Sequence, residues 1–199
     1  KEDTLNLQDG FQFLIKNQEA LLVKGISIPS DVVIPSTVAL DGNEYRVTSI
    51  GKRAFSNYSI ESIEIPDSVT SIGEYAFYNC NSLSTIAIPS SVTSIGNSAF
   101  EGCSSLTSIT LQDGVTKIGD RAFYNCNSLT SIKIPNTVTF VGKDAFFGCR
   151  SLQYNEYENC LYLGNEKNPY LMLAKAKTNY KEEVMVHEET KFINDYAFS

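Results

Sequence analysis

At 199 residues the chain is long enough for one ordinary domain with its own core. Its 42% apolar and 20% charged residues are those of a globular protein, and no apolar run approaches the ~20 residues that a membrane helix needs. Sixteen basic and 23 acidic side chains give a net charge of −7, scattered along the chain, which argues against nucleic acid, whose binding rests on clustered Lys and Arg.

The first residues, Lys1-Glu2-Asp3, open neither a basic n-region nor an apolar h-region, so any export signal is expected to have been removed or to lie outside this sequence. Phe11-Gln12-Phe13-Leu14-Ile15 and Ala20-Leu21-Leu22-Val23 flank Asn17-Gln18, the pattern of a β-hairpin. We expect residues 1–29 to form an N-terminal β cap, because the first coil of a stack otherwise exposes its apolar face. Repeating coils are expected over 30–152. In the first of them Ile34-Pro35-Ser36-Thr37-Val38 matches Ile65-Pro66-Asp67-Ser68-Val69, but residues 39–46 intrude before Val47-Thr48-Ser49-Ile50-Gly51.

The repeat then becomes plain. Leu83 to Ser105 is one unit, and the next two begin at Leu106 and Leu129, each a shift of 23. The Ala-Phe pair recurs at Phe55, Phe77, Phe100, Phe123, Phe146 and Phe198, with spacings of 22, then 23 three times, then 52. Within a unit Ile109 and Leu111 alternate with Ser108 and Thr110, as in a short strand with one buried face. Stacking would set such strands in parallel register. Pro66, Pro89 and Pro135 end the strand, since proline lacks the N–H a ladder needs. Val115 and Ile118 return an apolar edge to the opposite wall, and Ala122-Phe123 with Cys126 suits a single helical turn. Two columns hold only Gly or Asn. One is Gly51, Gly73, Gly96, Gly119, Gly142 and Asn194; the other is Asn57, Asn79, Gly102, Asn125 and Gly148. These residues tolerate a left-handed backbone, so positive φ is expected at both columns.

After Leu152 the strand pattern fails, with Asn155 and Tyr157 where Ile132 and Ile134 would recur. Cys160 to Leu163 and Tyr170 to Ala174 read as two strands around a turn, so residues 153–183 are expected to be an inserted, hairpin-like segment. A truncated repeat resumes over 184–199, and its ending at Ala197-Phe198-Ser199, mid-unit, is what a piece of a longer protein would show. The expected fold is a leucine-rich-repeat solenoid of short parallel β-strands, mostly β and irregular, with single helical turns and an N-terminal β-hairpin cap.

The unit Leu-x-x-Ile-x-Ile-Pro-x-Ser-Val-Thr-Ser-Ile-Gly-x-x-Ala-Phe-x-x-Cys closely resembles the BspA-like, or treponemal-type, class of bacterial leucine-rich repeats, over roughly residues 30–199. The resemblance implies an exported protein displayed at a bacterial cell surface, with a part in adhesion. It implies no shared catalytic residues.

Residues that could carry chemistry have plainer explanations. Cys80, Cys103, Cys126 and Cys149 recur at the repeat length, so they read as interior packing positions. No Cys-x-x-Cys spacing points to a metal. Cys160 breaks the phase and is the one candidate for a reactive thiol. His187, the only histidine, reads as a surface residue, and no catalytic constellation runs through it. Phe77, Phe100, Phe123 and Phe146, with Gly73, Gly96, Gly119 and Gly142, are structural columns. Ser82, Ser105, Ser128 and Ser151 suit hydrogen bonds to turn backbone.

Two surfaces remain for binding. Ser108, Thr110, Ser131 and Lys133 should line the solvent face of the strands, and Tyr154, Tyr157, Tyr162 and Tyr170 crowd the inserted segment. Tyr75, Tyr78, Tyr124 and Phe147 fall at variable positions near the expected helical turn. The expectation is therefore a non-catalytic cell-surface interaction module without cofactor, metal, nucleic acid or membrane insertion. Its ligand would be a protein, such as a host matrix or cell-surface protein, or a glycan. The alternative is a structural spacer or display stalk; exposed aromatic patches favour the first and evenly polar walls the second.

Overall fold

The structure, a computed structural model, describes residues 4–177, 184–195 and 197–198. Parts of the expected cap, inserted segment and resumed repeat (residues 1–3, 178–183, 196 and 199) lie outside the described residues. The chain is a β-solenoid of about seven turns with no helix among the described residues.

Its N-terminal end is a three-stranded antiparallel ribbon of β1 (Thr4–Gln8), β2 (Phe11–Lys16) and β3 (Glu19–Gly25). Both connecting turns place two successive residues at positive φ, Asp9 and Gly10 at 52° and 82°, Asn17 and Gln18 at 51° and 68°. That twist matches the strands it joins. Next come β4 (Asp31–Val33), β5 (Thr37–Leu40) and β6 (Asn43–Ile50). β5 and β6 pair antiparallel across Asp41-Gly42, so the intrusion at 39–46 is a second hairpin.

The coils then build two parallel walls. The first wall holds β7 (Ser62–Glu64), β9 (Thr85–Ala87), β11 (Ser108–Thr110) and β13 (Ser131–Lys133), and the second β8 (Ser71–Ile72), β10 (Ser94–Ile95), β12 (Lys117–Ile118) and β14 (Phe140–Val141). On the first wall Ile86, Ile109 and Ile132 are in register, while β4 and β7 form a separate two-stranded ladder. On the second wall β8, β10, β12 and β14 continue the sheet of the cap through β3 and β6. Strand residues alternate in and out, so Ile63, Ile86, Ile109 and Ile132 meet Ile50, Ile72, Ile95 and Ile118 in one core. Each such side chain stabilises by about 1.5–3 kcal/mol on burial. The third side of the core is a column of phenylalanines stacked nearly flat, Phe55 through Phe146, with centroids 5.1–5.5 Å apart and planes within 9°.

The third wall corrects two expectations. Instead of a helical turn, the backbone of residues 121–126 alternates its donors. Arg121, Phe123 and Asn125 N–H donate to Lys143, Ala145 and Phe147 of the next coil at 2.7–2.8 Å, while Ala122, Tyr124 and Cys126 donate three residues back. The alternation lets every second N–H hold the next coil while the others close tight turns within their own. Positive φ occurs as expected at Asn57, Asn79, Gly102, Asn125 and Gly148, but not at Gly51, Gly73, Gly96, Gly119 or Gly142. The second left-handed column is instead Arg53, Tyr75, Ser98, Arg121 and Asp144. The glycine column answers to close approach: a Cβ on Gly96 would stand 2.6 Å from the carbonyl carbon of Gly73, and one on Gly142 2.3 Å from Asp120 N.

Hydroxyls stitch the coils further. Thr70, Thr93, Thr116 and Thr139 each donate an amide and a hydroxyl to one carbonyl of the preceding coil, the hydroxyls at 3.0–3.2 Å. Thr107 and Thr130 form a second ladder at 3.1 Å. These columns, rather than Ser82, Ser105, Ser128 and Ser151, make the side-chain bonds to turn backbone.

Past Leu152, β15 (Asn155–Tyr157) and β16 (Cys160–Leu163) form an antiparallel hairpin, β17 (Met172–Ala176) pairs with β16, and β18 (Phe192–Ile193) lies parallel to β17. The stack runs through this segment. Ile134 N–H donates to Gly164 as Ile88 N–H donates to Thr110, both at 3.1 Å. Lys191 and Phe192 N–H donate to Leu171, repeating the pair that Thr139 and Phe140 give to Thr116.

Candidate interaction surfaces

On the first wall the outward residues form two rows across the coils. One is Asp31, Ser62, Thr85, Ser108 and Ser131; the other is Val33, Glu64, Ala87, Thr110 and Lys133. Ser108 is half-buried, and Thr110, Ser131 and Lys133 are exposed. The wall ends in a cleft of about 560 Å³ lined by Thr110, Gln112, Lys133, Asn136, Glu166 and Lys167. Lys133 forms an ion pair there with Glu166, which holds that carboxyl below its ordinary pKa. Asn165 fixes the loop, its Nδ2 donating to Ile134 O at 2.6 Å and its Oδ1 accepting from Lys167 and Asn168 N–H at 2.9 and 3.0 Å. The structure thus joins Thr110 and Lys133 to a loop that the sequence did not associate with them.

The tyrosines that crowd the inserted segment pack inward to different degrees. Tyr162 is fully buried, and its hydroxyl oxygen accepts from His187 N–H at 3.1 Å, so it offers nothing to a partner. Tyr157 and Tyr170 are half-buried against a small second core of Cys160, Tyr162, Leu173, Ala176 and Ala197. Tyr154 packs on the main core, and burial raises its phenol pKa. His187, half-buried, packs against two of them. Its ring stacks on Tyr170 at 4.2 Å and meets Tyr157 edge-on at 4.7 Å, and its Nδ1 accepts from Glu189 N–H at 3.2 Å. A second core was invisible because the residues that close it lie in different strands.

Cys80, Cys103, Cys126, Cys149 and Cys160 are all buried and free. The first four thiols each donate to the carbonyl of the Phe one coil back, at 3.0–3.1 Å. Burial pushes the Cys80 thiol up to about 12, and it also raises Cys103. Cys160, expected to be the reactive candidate, is no more accessible than the rest. Where an earlier unit has Tyr58, the hydroxyl reaches to Gly25 O instead.

The third wall carries the aromatic surface. Tyr78, Glu101, Tyr124 and Phe147 occupy one position on successive coils, as their interleaved backbone bonds require. Tyr124 stacks on Phe147 at 5.3 Å, and the Arg121 guanidinium lies 4.1 Å over the Tyr124 ring while bonding Glu101 at 3.0 Å. One end of the strip is Tyr75, edge-on to Tyr78 at 5.5 Å with Arg53 over its ring. Phe147 is 45% exposed. The left-handed turn produces this arrangement, because it points the residue after each buried Phe outward.

A family model described as BspA type leucine rich repeat region, with six copies, matches residues 44–166. The chain belongs to this family. No curated protein matches it in sequence. Among solved structures it is similar to a leucine rich cell surface protein from Faecalibacterium prausnitzii, 28% identical with TM-score 0.56 over 88% of this chain. It is also similar to a leucine-rich repeat protein from Bacteroides ovatus, 36% identical with TM-score 0.61 over 80% of this chain. It spans 62% and 40% of those two chains. The pneumococcal vaccine antigen PcpA, 16% identical, shares the fold at TM-score 0.63.

In this BspA-type array the repeat consensus accounts for the core, and the variable positions between consensus residues account for the surface. Among the described residues no three His, Cys, Asp or Glu side chains are grouped to hold a metal ion. No helix there is long and apolar enough to cross a membrane. What the array offers chemically is extended surface: a polar strand wall, and a turn wall bearing aromatics and arginine.

Proposed function

We propose that this chain is a non-catalytic protein-interaction module of a bacterial cell-surface protein, that it serves adhesion to host proteins, and that its main contact is the turn wall. The observation that carries this is two aromatic clusters on one wall, Tyr75 with Tyr78 and Arg121 with Tyr124 and Phe147, with Glu101 on the coil between them. Tyr and Arg dominate interface hot spots, because they bring large contact area and directed hydrogen bonds at modest entropic cost. Arg121 is held over Tyr124 and tied to Glu101, so little ordering remains to be done on binding. A surface location agrees with the cell-surface description of the Faecalibacterium protein.

The test is a binding screen against immobilised host matrix proteins and glycans, with Tyr124→Ala and Tyr78→Ala variants alongside. A saturable protein ligand whose affinity falls at least ~30-fold in Tyr124→Ala supports the proposal, since a central hot spot is worth ~2 kcal/mol or more. Full binding by both variants would move the contact off this wall.

A spacer is the competing reading, and the threonine ladders favour it: Thr70, Thr93, Thr116 and Thr139 give the edge of the second wall an even, polar face. Silence across the whole screen would favour that reading.

A further inference from the structure

The first wall is not one sheet. Its ladder is interrupted between β7 and β9, where Ser62–Glu64 pairs only with Asp31–Val33 and Thr85–Ala87 pairs only with Ser108–Thr110. A groove of about 480 Å³ lies over the interruption. Its floor is apolar, made by Ile63 and Ile86 beneath the surface and by Val33 and Ala87 upon it. Val33 is 63% exposed, a branched apolar side chain left in solvent on a wall whose other outward residues are polar or, at Ala87, small. Two carboxylates line the groove. Asp31 neighbours Ser62, whose hydroxyl donates to it, and Glu64 stands directly across the ladder from Val33. Among the described residues neither carboxylate is in an ion pair. The outward rows hold no cation until Lys133 at the far end, and that one is engaged by Glu166.

We infer that this groove is a second docking site, separate from the turn wall, for an extended segment of a partner protein that carries Lys or Arg at every second position, so that the basic side chains share the face turned to the groove. Charge and shape together select that occupant. Neighbouring strands lie about 4.8 Å apart, so a basic side chain can lay its methylene stem on Val33 and still bring its charged head to Glu64 and Asp31. Lysine and arginine alone combine an apolar stem with a cationic tip. An acidic segment would meet two uncompensated carboxylates, and a purely apolar one would desolvate them without a partner. The extended form follows from the groove, which runs alongside β7 and β9 and presents its features at the strand spacing.

Fluorescence anisotropy of a labelled Lys-Val-Lys-Val-Lys peptide, with Glu-Val-Glu-Val-Glu as its counterpart, tests the site. Saturable binding of the basic peptide alone is expected, weakened at least ~tenfold by Asp31→Lys with Glu64→Lys and weakening as salt rises. The control variant Glu44→Lys with Glu188→Lys changes net charge equally at exposed positions elsewhere, and it should retain affinity within ~twofold. Val33→Ser should weaken binding without changing charge, and Tyr124→Ala should leave it unaltered. Unfolding midpoints of all variants verify that the fold is intact. Equal loss in the control and groove variants would mean attraction to overall negative charge and would overturn the site. So would an affinity indifferent to Val33→Ser, or no binding of the basic peptide at low salt.

Discussion

Replacing Phe123 with Ala removes a ring that is fully buried and faces Phe100 and Phe146 on its two sides, 5.4 and 5.5 Å away. Both neighbours are themselves fixed in a column and cannot close the gap without breaking their own stacking. Little relaxation is therefore available, and the loss belongs near the upper end of the range for a buried phenylalanine, about 3–5 kcal/mol. The two stacked contacts, at about 0.5–1.5 kcal/mol each, are part of that sum. With a urea dependence of about 2 kcal/mol per molar, the midpoint should fall by ~2 M. Phe147→Ala is the control, since its ring lies on the surface strip and 45% of it is exposed; it should cost ~1 kcal/mol. Urea titrations followed by tyrosine fluorescence and by far-ultraviolet circular dichroism would measure both. A Phe123→Ala midpoint within ~0.3 M of the parent, or equal losses in the two variants, would refute the stacked column as the structural spine.

Glycine substitutions separate the two reasons for glycine. Gly96→Asn should destabilise by about 1–3 kcal/mol, because its Cβ would stand 2.6 Å from the backbone of the coil before it. Gly102→Asn, at φ 76° in the column where other coils use Asn, would meet only the end of the Asn79 side chain, which can turn aside, so it should cost less, about 0.5–1 kcal/mol in the same titration. All five thiols should react with a disulfide reagent in denaturant, and less than one equivalent should react in the native protein at pH 8 over the same minutes; rapid native labelling would place a cysteine at the surface. The folded Cys80 thiol keeps its proton up to about 12 whereas its ordinary value is 9.0. The unfolded chain therefore releases that proton first, so stability present below pH 9 declines as the pH rises from 9 towards 12. Cys80→Ala should flatten that decline in pH-dependent urea midpoints, and an unchanged slope would exclude the thiol as its source.

The 23-residue phase by itself determined the architecture, because a column of identical side chains can be buried only by setting identical coils on one another. It placed the isoleucine strands, the phenylalanine and cysteine columns and the Asn/Gly column of positive φ. The Asp41-Gly42 dipeptide also carried a hairpin signal that would have turned the intrusion at 39–46 into β5 and β6. Other features had no local mark. Arg53, Tyr75, Ser98, Arg121 and Asp144 share a left-handed backbone although their side chains share nothing, since stacking bonds to the next coil impose it. The glycine column looked like a torsional requirement and proved to be a requirement of distance, which depends on an atom 23 residues away. Tyr157, Tyr162 and Tyr170 were candidates for a binding surface and instead gather at a second core, with His187 stacked on Tyr170, because burial is decided by what packs against a residue from elsewhere in the chain. The turn-wall strip and the groove at Val33 and Glu64 arise for the same reason. The repeat specifies which side chains go inward, and only the stacking of coils decides which outward ones become neighbours.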